Sequence, residues 1–300
     1  MKTNNVSSKI SPKIIFFGNG PLADCAKLTL IRYGFDIVFH ARTKEDLEEV
    51  KRAKAEMPEA HGVLASFGVM IKSDVLDLFE PEGILNIHPS KLPDLRGPSP
   101  IETAILRGDN EFSVSVMKLV KEMDAGPIYF QKTLTNAEII EKTEWILSNQ
   151  EPGVVKNTDG TDVKNTQKSL PSKADIYLAL SVTGTEWIAE NLENLGKPRE
   201  QDPSKKPTFS KKLETNMSEI KPSEKTAEQV LNEIRAFERF PKSRYTFFGV
   251  DCIIHKAHVS KNEEILSLKC MDNTYICIDE LQPANKKKMD AKSFLNGYKK

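Results

Sequence analysis

A chain of 300 residues with 39% hydrophobic and 29% charged side chains has room for two ordinary folded units, which excludes a disulfide-stapled miniprotein and a chain disordered throughout. Lys plus Arg and Asp plus Glu both total 43, yet residues 201–300 carry 19 basic against 14 acidic side chains and residues 1–200 carry 24 against 29. A basic last third is compatible with an anionic partner such as RNA. The apolar run Gly62–Ile71 is about half the roughly 20 residues that span a bilayer, so no membrane partner is expected. Cys25, Cys252, Cys270 and Cys277 form no Cys-x-x-Cys pair, which signals neither a metal site nor a disulfide framework and suits a reducing cytoplasm. Met1–Pro12 has no apolar signal core and reads as a short frayed tail.

The elements follow in chain order. Lys13–Gly18 is a continuous apolar run ended by Gly18-Asn19-Gly20-Pro21, a buried strand turning into a helix. Helical spacing at Leu22, Ala26, Leu30 and Tyr33 stops at Gly34, and Phe35–Phe39 gives a second strand. Thr43 with Asp46 predicts a capping box for a charged helix through Leu47, Val50 and Ala53. Val63–Phe67 and Gly83–His88 read as further strands, with a short helix from Ser73 to Phe79 between them, so the alternation predicts a parallel, doubly wound sheet. Pro100–Arg107 is helical, and Ser113–Val120 and Pro127–Leu134 are strand-like around Met123-Asp124-Ala125-Gly126. The polar stretch Asn149–Lys173 reads as a surface insertion, and Ala174–Leu195 as a helix. Lys197–Pro207, rich in Pro, Lys and Ser, marks a linker between domains spanning 1–200 and 201–300. Beyond it, Thr226 and Gln229 cap a helix to Glu238, and short strands at Tyr245–Val250, Cys252–Val259, Ile265–Cys270 and Thr274–Leu281 predict a small antiparallel barrel.

Chemistry concentrates in Leu85–Pro100. Side chains alternate along a strand, so Asn86 and His88 share one face while Leu85 and Ile87 pack on the other. They stand at the carboxyl end of a strand, where open α/β sheets bind ligands, and the prolines from Pro89 to Pro100 restrict the loop that follows. Asp124, in the tight turn formed with Ala125, Gly126 and Pro127, is the third candidate. An amide donor, an imidazole and a carboxylate together suit transfer of a carbonyl carbon to an amine without a serine or cysteine nucleophile. Taken singly, His88 also reads as a hydrogen-bonded histidine near a strand end, Asn86 as a turn-former and Asp124 as a turn aspartate. Gly18-x-Gly20 lacks the third glycine of a dinucleotide fingerprint, so no NAD site is expected.

Asn-x-His-Pro-Ser-x-Leu-Pro, then Arg-Gly-x-x-Pro-Ile, then Met-Asp-x-Gly some 30 residues later together resemble the formyltransferase family that uses 10-formyltetrahydrofolate. The resemblance implies that Asn86, His88 and Asp124 are the catalytic trio, that Ser90, Lys91, Leu92 and Pro93 lie against the folate, and that Ser66–Ile71 lines the pteridine pocket. Lys206–Leu213, Ile234–Phe237 with Pro241, and Leu281–Met289 resemble, in matching order, the members of this family that act on initiator methionyl-tRNA. The implied fold is a Rossmann-like formyltransferase domain followed by an OB-like β-barrel facing tRNA. The implied protein is a metal-free cytoplasmic monomer.

Departures from the family pattern are Lys91 in place of leucine, a short Ala41–Lys44 passage where the family has a longer Gly- and Arg-rich loop, Lys221-Pro222 in place of an acidic-aromatic pair, and the polar insertion. The short passage favours a second reading, an N-formyltransferase for sugar nucleotides or other small amines. A third, of a different class, is an RNA-binding protein that no longer transfers anything; the intact trio weighs against it.

Overall fold

The computed structural model describes residues 11–149 and 170–298, so most of the expected N-terminal tail and of the polar insertion lies outside the described residues. The named elements are β1 (Lys13–Phe17), α1 (Pro21–Arg32), β2 (Asp36–Ala41), α2 (Leu47–Glu56), β3 (His61–Leu64), α3 (Ser73–Leu76), β4 (Ile84–His88), α4 (Pro100–Arg107), β5 (Glu111–Lys118), β6 (Ile128–Thr135), α5 (Asn136–Ser148), α6 (Lys173–Asn191), α7 (Ala227–Ala236), β7 (Ser243–Phe247), β8 (Val250–Ser260), β9 (Ser267–Lys269), β10 (Tyr275–Pro283), β11 (Met289–Asp290) and α8 (Ala291–Tyr298). They divide between two compact units. The first takes 11–96, 112–149 and 174–208; the second takes 97–111, 170–173 and 209–298.

The first unit is Rossmann-like, with a six-stranded sheet in the order β2-β1-β3-β4-β5-β6. Ile14, Ile15, Phe16 and Phe17 are all fully buried, and alternation along β1 sends them to opposite faces, so both faces of the sheet are covered. One face is the core of Ile15, Phe17, Val50, Phe67, Val75, Phe79 and Ile84. On the other, Gly184 of α6 passes so close to the sheet that a Cβ there would stand 3.0 Å from side-chain atoms of Ile87 and Val114. Gly18 ends β1 with φ +147°, and a Cβ on it would meet the Ala65 carbonyl oxygen at 1.9 Å, which only glycine permits.

Two local readings change here. The strands are parallel from β2 through β4, but β5 runs antiparallel to β4. The reason is that α4, the helix between them, belongs to the second unit and is not a crossover helix of this sheet. The capping box at Thr43 forms only by half. The Asp46 carboxylate accepts from the Thr43 and Arg42 backbone N–H groups at 2.8 and 2.7 Å, and α2 starts one residue later, at Leu47.

The second unit is a five-stranded antiparallel half-barrel, β11-β10-β8-β7 with β9 on β10, around a core that includes Ile220, Val230, Ile234, Phe247, Ile254, Ile276, Leu281 and Phe294. α7 packs on it behind a full capping box, Gln229 N–H donating to Thr226 Oγ1 at 3.2 Å and Thr226 N–H to Gln229 Oε1 at 2.9 Å. α4 packs against α7, and Lys173 ties the two by donating to the Ala236 carbonyl at 2.7 Å while standing 3.5 Å from the buried Glu102 carboxylate. Burial, the largest influence, holds the Lys173 ammonium below its ordinary pKa despite Glu102.

On the same sheet His258 is flanked by Asp279, 3.0 Å from Nδ1, and by Glu264, 3.0 Å from Nε2. These two hydrogen bonds, Asp279 first, raise the imidazole above its ordinary value of 6.5. The folded state therefore binds this proton more tightly. Its contribution to stability is complete below about pH 6.5 and is lost as pH rises through the raised value. His258→Gln is expected to lower the thermal midpoint relative to the parent at about pH 6 and to have little effect at about pH 9.5, as read by paired thermal melts.

Candidate active site

All five residues of β4 are buried, and alternation places Asn86 and His88 on the face that Ile84 shares with Val50 and Phe79. The antiparallel register sets Asn86 beside Met117 and His88 beside Ser115. After β5 the chain doubles back through residues 119–127, with Leu119 N–H on the Ile84 carbonyl and Lys118 N–H on the Pro127 carbonyl. Gly126 makes this return possible. A Cβ on it would stand 1.9 Å from the Lys118 carbonyl oxygen. Asp124, with φ +49°, is thereby turned toward β4.

The three side chains meet. Asn86 Nδ2 donates to Asp124 Oδ1 at 3.4 Å, and His88 Nδ1 lies 3.6 Å from the same oxygen. His88 Nε2 stands 3.1 Å from the Leu95 carbonyl oxygen. A carbonyl oxygen only accepts, so Nε2 carries hydrogen and Nδ1 is the nitrogen left to give or take a proton beside the carboxylate. The His88 and Asp124 side chains are 6% and 13% exposed, so their electrostatic contact is largely shielded from water.

The segment that follows is held from below. Ser115 Oγ donates to the Ser90 carbonyl at 2.6 Å and accepts from Gln131 Nε2 at 2.9 Å, and Gln131 also reaches the Leu92 carbonyl at 3.1 Å. Ser90 Oγ donates to the Asp94 carbonyl at 2.6 Å. Leu92 is buried with Met117 and Ile128, whereas Lys91 points outward and is exposed. From the far side Thr208 Oγ1 accepts the Leu95 N–H at 2.8 Å and bonds the Asp94 carboxylate. In the Ser66–Ile71 turn Phe67 and Ile71 are core residues, leaving Ser66, Gly68 and Met70 exposed.

Ser115 and Gln131 escape a reading by motif. The available signal was Ser115 itself, a polar residue inside the apolar strand Phe112–Met117. Away from this region, metal-type ligand atoms group among the described residues at His258, Glu264 and Cys277, where both ring nitrogens of His258 already face carboxylates.

The formyl transferase family model matches residues 19–148 and the formyl transferase C-terminal domain model matches residues 212–299. Methionyl-tRNA formyltransferase of Borrelia hermsii is 30% identical over 277 residues, covering 84% of this chain and 75% of its own. The chain belongs to the formyltransferase family. It is accordingly a transferase that moves a formyl group.

Among solved structures, HypX from Aquifex aeolicus in complex with tetrahydrofolic acid matches with a TM-score of 0.64 at 15% identity, covering 96% of this chain and 47% of that one, so this chain spans about half of HypX. WlaRD, a sugar 3N-formyl transferase crystallised with dTDP and 5-N-formyl-THF, matches at 0.55 and 16% identity, covering 92% and 99%. At these identities the likeness is one of fold.

Gly126→Ala forces a methyl group into the Lys118 carbonyl. It is expected to cost about 1–3 kcal/mol in urea unfolding and to reduce turnover further than a stability loss of that size explains, because Asp124 moves with the turn.

Proposed function

We propose that this enzyme transfers the formyl group of 10-formyltetrahydrofolate to a primary amine, with Asn86, His88 and Asp124 as the catalytic trio. The observation that carries the reading is the meeting of an amide donor, an imidazole of defined tautomer and a carboxylate at the end of β4. The acceptor nitrogen attacks the formyl carbon, its bond to N10 of the folate breaks, the acceptor loses one proton and N10 gains one. Asn86 Nδ2 donates to the oxygen as it becomes anionic, and a protonated His88 Nδ1 donates beside it. Asp124 faces both groups, stabilises the imidazolium and accepts the proton shed by the amine directly or through water. Ser90, Lys91, Leu92 and Pro93 form the edge against which the folate lies. The four cysteines, with no Cys-x-x-Cys pair among them, suit a reducing cytoplasmic setting.

The acceptor reading rests on other observations. The match of residues 212–299 to the family's C-terminal domain, the methionyl-tRNA formyltransferases among its relatives and the basic last third support methionine carried on initiator tRNA. An amino-sugar nucleotide is favoured by the short passage from Ala41 at the end of β2 to Leu47 and by the fold shared with WlaRD. Both carriers bear phosphate, and only the tRNA would give a steep salt dependence of binding.

Purified protein offered 10-formyltetrahydrofolate with initiator Met-tRNA, elongator Met-tRNA and a panel of amino-sugar nucleotides separates the readings. Formylation of initiator Met-tRNA alone supports the first, formylation of amino sugars alone supports the second, and no transfer to any amine sinks the proposal. His88→Ala is expected to lower kcat by about 10²–10⁴-fold while costing about 1–3 kcal/mol in stability for the Leu95 carbonyl it leaves unpaired. Lys91→Leu is expected to raise KM for a polyglutamylated donor with kcat unchanged. An unchanged KM would remove Lys91 from the folate site.

A further inference from the structure

Gln201 lies in the Pro- and Lys-rich stretch that reads as linker by composition, yet it is anchored within the first unit. Two residues earlier, Arg199 pairs antiparallel with Ile128 at the start of β6, its N–H on the Ile128 carbonyl at 2.9 Å and its carbonyl accepting the Ile128 N–H at 2.7 Å. Both functional atoms of the Gln201 amide are used. Nε2 donates to the Asp124 carbonyl at 2.7 Å and to the Gly126 carbonyl at 2.9 Å. Oε1 accepts from Arg96 Nη2 at 2.6 Å and from Arg96 Nε at 3.2 Å.

We propose that Gln201 is a positioning residue for formyl transfer, a clamp that fixes the Asp124 turn to Arg96 at the end of the proline-rich loop and so holds the carboxylate against His88 and Asn86. The inference rests on the reading of Asp124 as a member of the trio. The argument is one of geometry and donor count. Asp124 has a positive φ, uncommon for a non-glycine residue, and its carboxylate stands 3.4 Å from Asn86 Nδ2 and 3.6 Å from His88 Nδ1. The main-chain carbonyls on either side of Ala125 are both held by one NH2 group whose two hydrogens are committed. A carboxylamide is the group that fits. It offers two donors to the carbonyls on one side and one acceptor to a guanidinium on the other, whereas glutamate in its place would present oxygen to carbonyl oxygen.

The test is a double-mutant cycle between Gln201 and Asp124, with kcat, the two KM values and the thermal midpoint read for each variant. Gln201→Glu keeps an acceptor for Arg96 and loses the donors, and Gln201→Met removes both without adding charge. Each is expected to lower kcat by about 10–100-fold with both KM values within about twofold, since misplacing a catalytic group by an ångström has an effect of that size. In the Asp124→Asn background, where the group being positioned is already disabled, the same substitutions are expected to change kcat by less than about twofold. Equal fold losses in both backgrounds, a loss confined to the charged Glu variant, or an unchanged kcat with Asp124→Asn inactive would overturn the clamp and leave the trio standing. Full activity of Asp124→Asn alone would overturn the trio, and with it the inference built on it.

Discussion

The site depends on one close approach of backbone to backbone, that of Gly126 to the carbonyl of Lys118. With any side chain at position 126 the chain leaving β5 has to swing wide, and the turn that carries Asp124 moves off the end of β4. The contact works because β5 is antiparallel to β4, which sets Lys118 opposite Leu85 and Ser115 opposite His88. Turn and strand are thus in register. Two residues 38 positions apart in sequence, Asn86 and Asp124, become neighbours through a single strand pairing and one missing methyl group.

The same economy governs the histidine. Its tautomer is set by the Leu95 carbonyl, on a loop otherwise held by Ser115, Gln131 and Thr208. A catalytic imidazole needs its unused nitrogen occupied, or both tautomers compete and half the encounters present the wrong atom. Here the occupant is main chain, so its place depends on the shape of the loop and not on a side-chain rotamer. That couples the proline-rich segment to the chemistry: the loop proposed to meet folate also fixes which nitrogen of His88 faces Asp124.

Patterns that need only neighbouring residues were legible in the sequence. The apolar run of β1, the Pro-to-Arg helix α4, the capping box at Thr226 and Gln229 and the alternation of Asn86 and His88 along β4 all declare themselves within a few positions. The α/β class followed from their order, and formyl transfer from the resemblance of the Asn-x-His-Pro-Ser-x-Leu-Pro, Arg-Gly-x-x-Pro-Ile and Met-Asp-x-Gly motifs to the formyltransferase family. What stayed hidden depends on partners far away in sequence. Helical spacing identifies α4 but not the core it packs against, and for that reason the antiparallel turn of β5 was not foreseen. Ser115 makes its hydrogen bonds to Ser90 and Gln131, and Gln201 to Asp124 and Arg96, pairings that no local spacing encodes. At Gln201 composition does not decide, because a stretch rich in proline and lysine looks the same whether it is a free tether or an extended strip bonded to a strand edge.

The division of the chain sharpens what the site implies about the family. Asn86, His88 and Asp124, the loop that ends at Arg96 and Gln201 all belong to the first unit. The second unit has a hydrophobic core of its own and takes α4 from the middle of the first unit's sequence, entering at Gly97, directly after Arg96. Formyl transfer asks the same of its donor whatever amine receives the group: an oxyanion to stabilise, a proton to remove and a folate to hold. Those demands constrain the first unit. The basic C-terminal third and the passage after β2 lie outside β4 and β5 and can vary without disturbing their register. A family built this way can keep one reaction while changing what it formylates, so the acceptor has to be read from surfaces that the reaction leaves free.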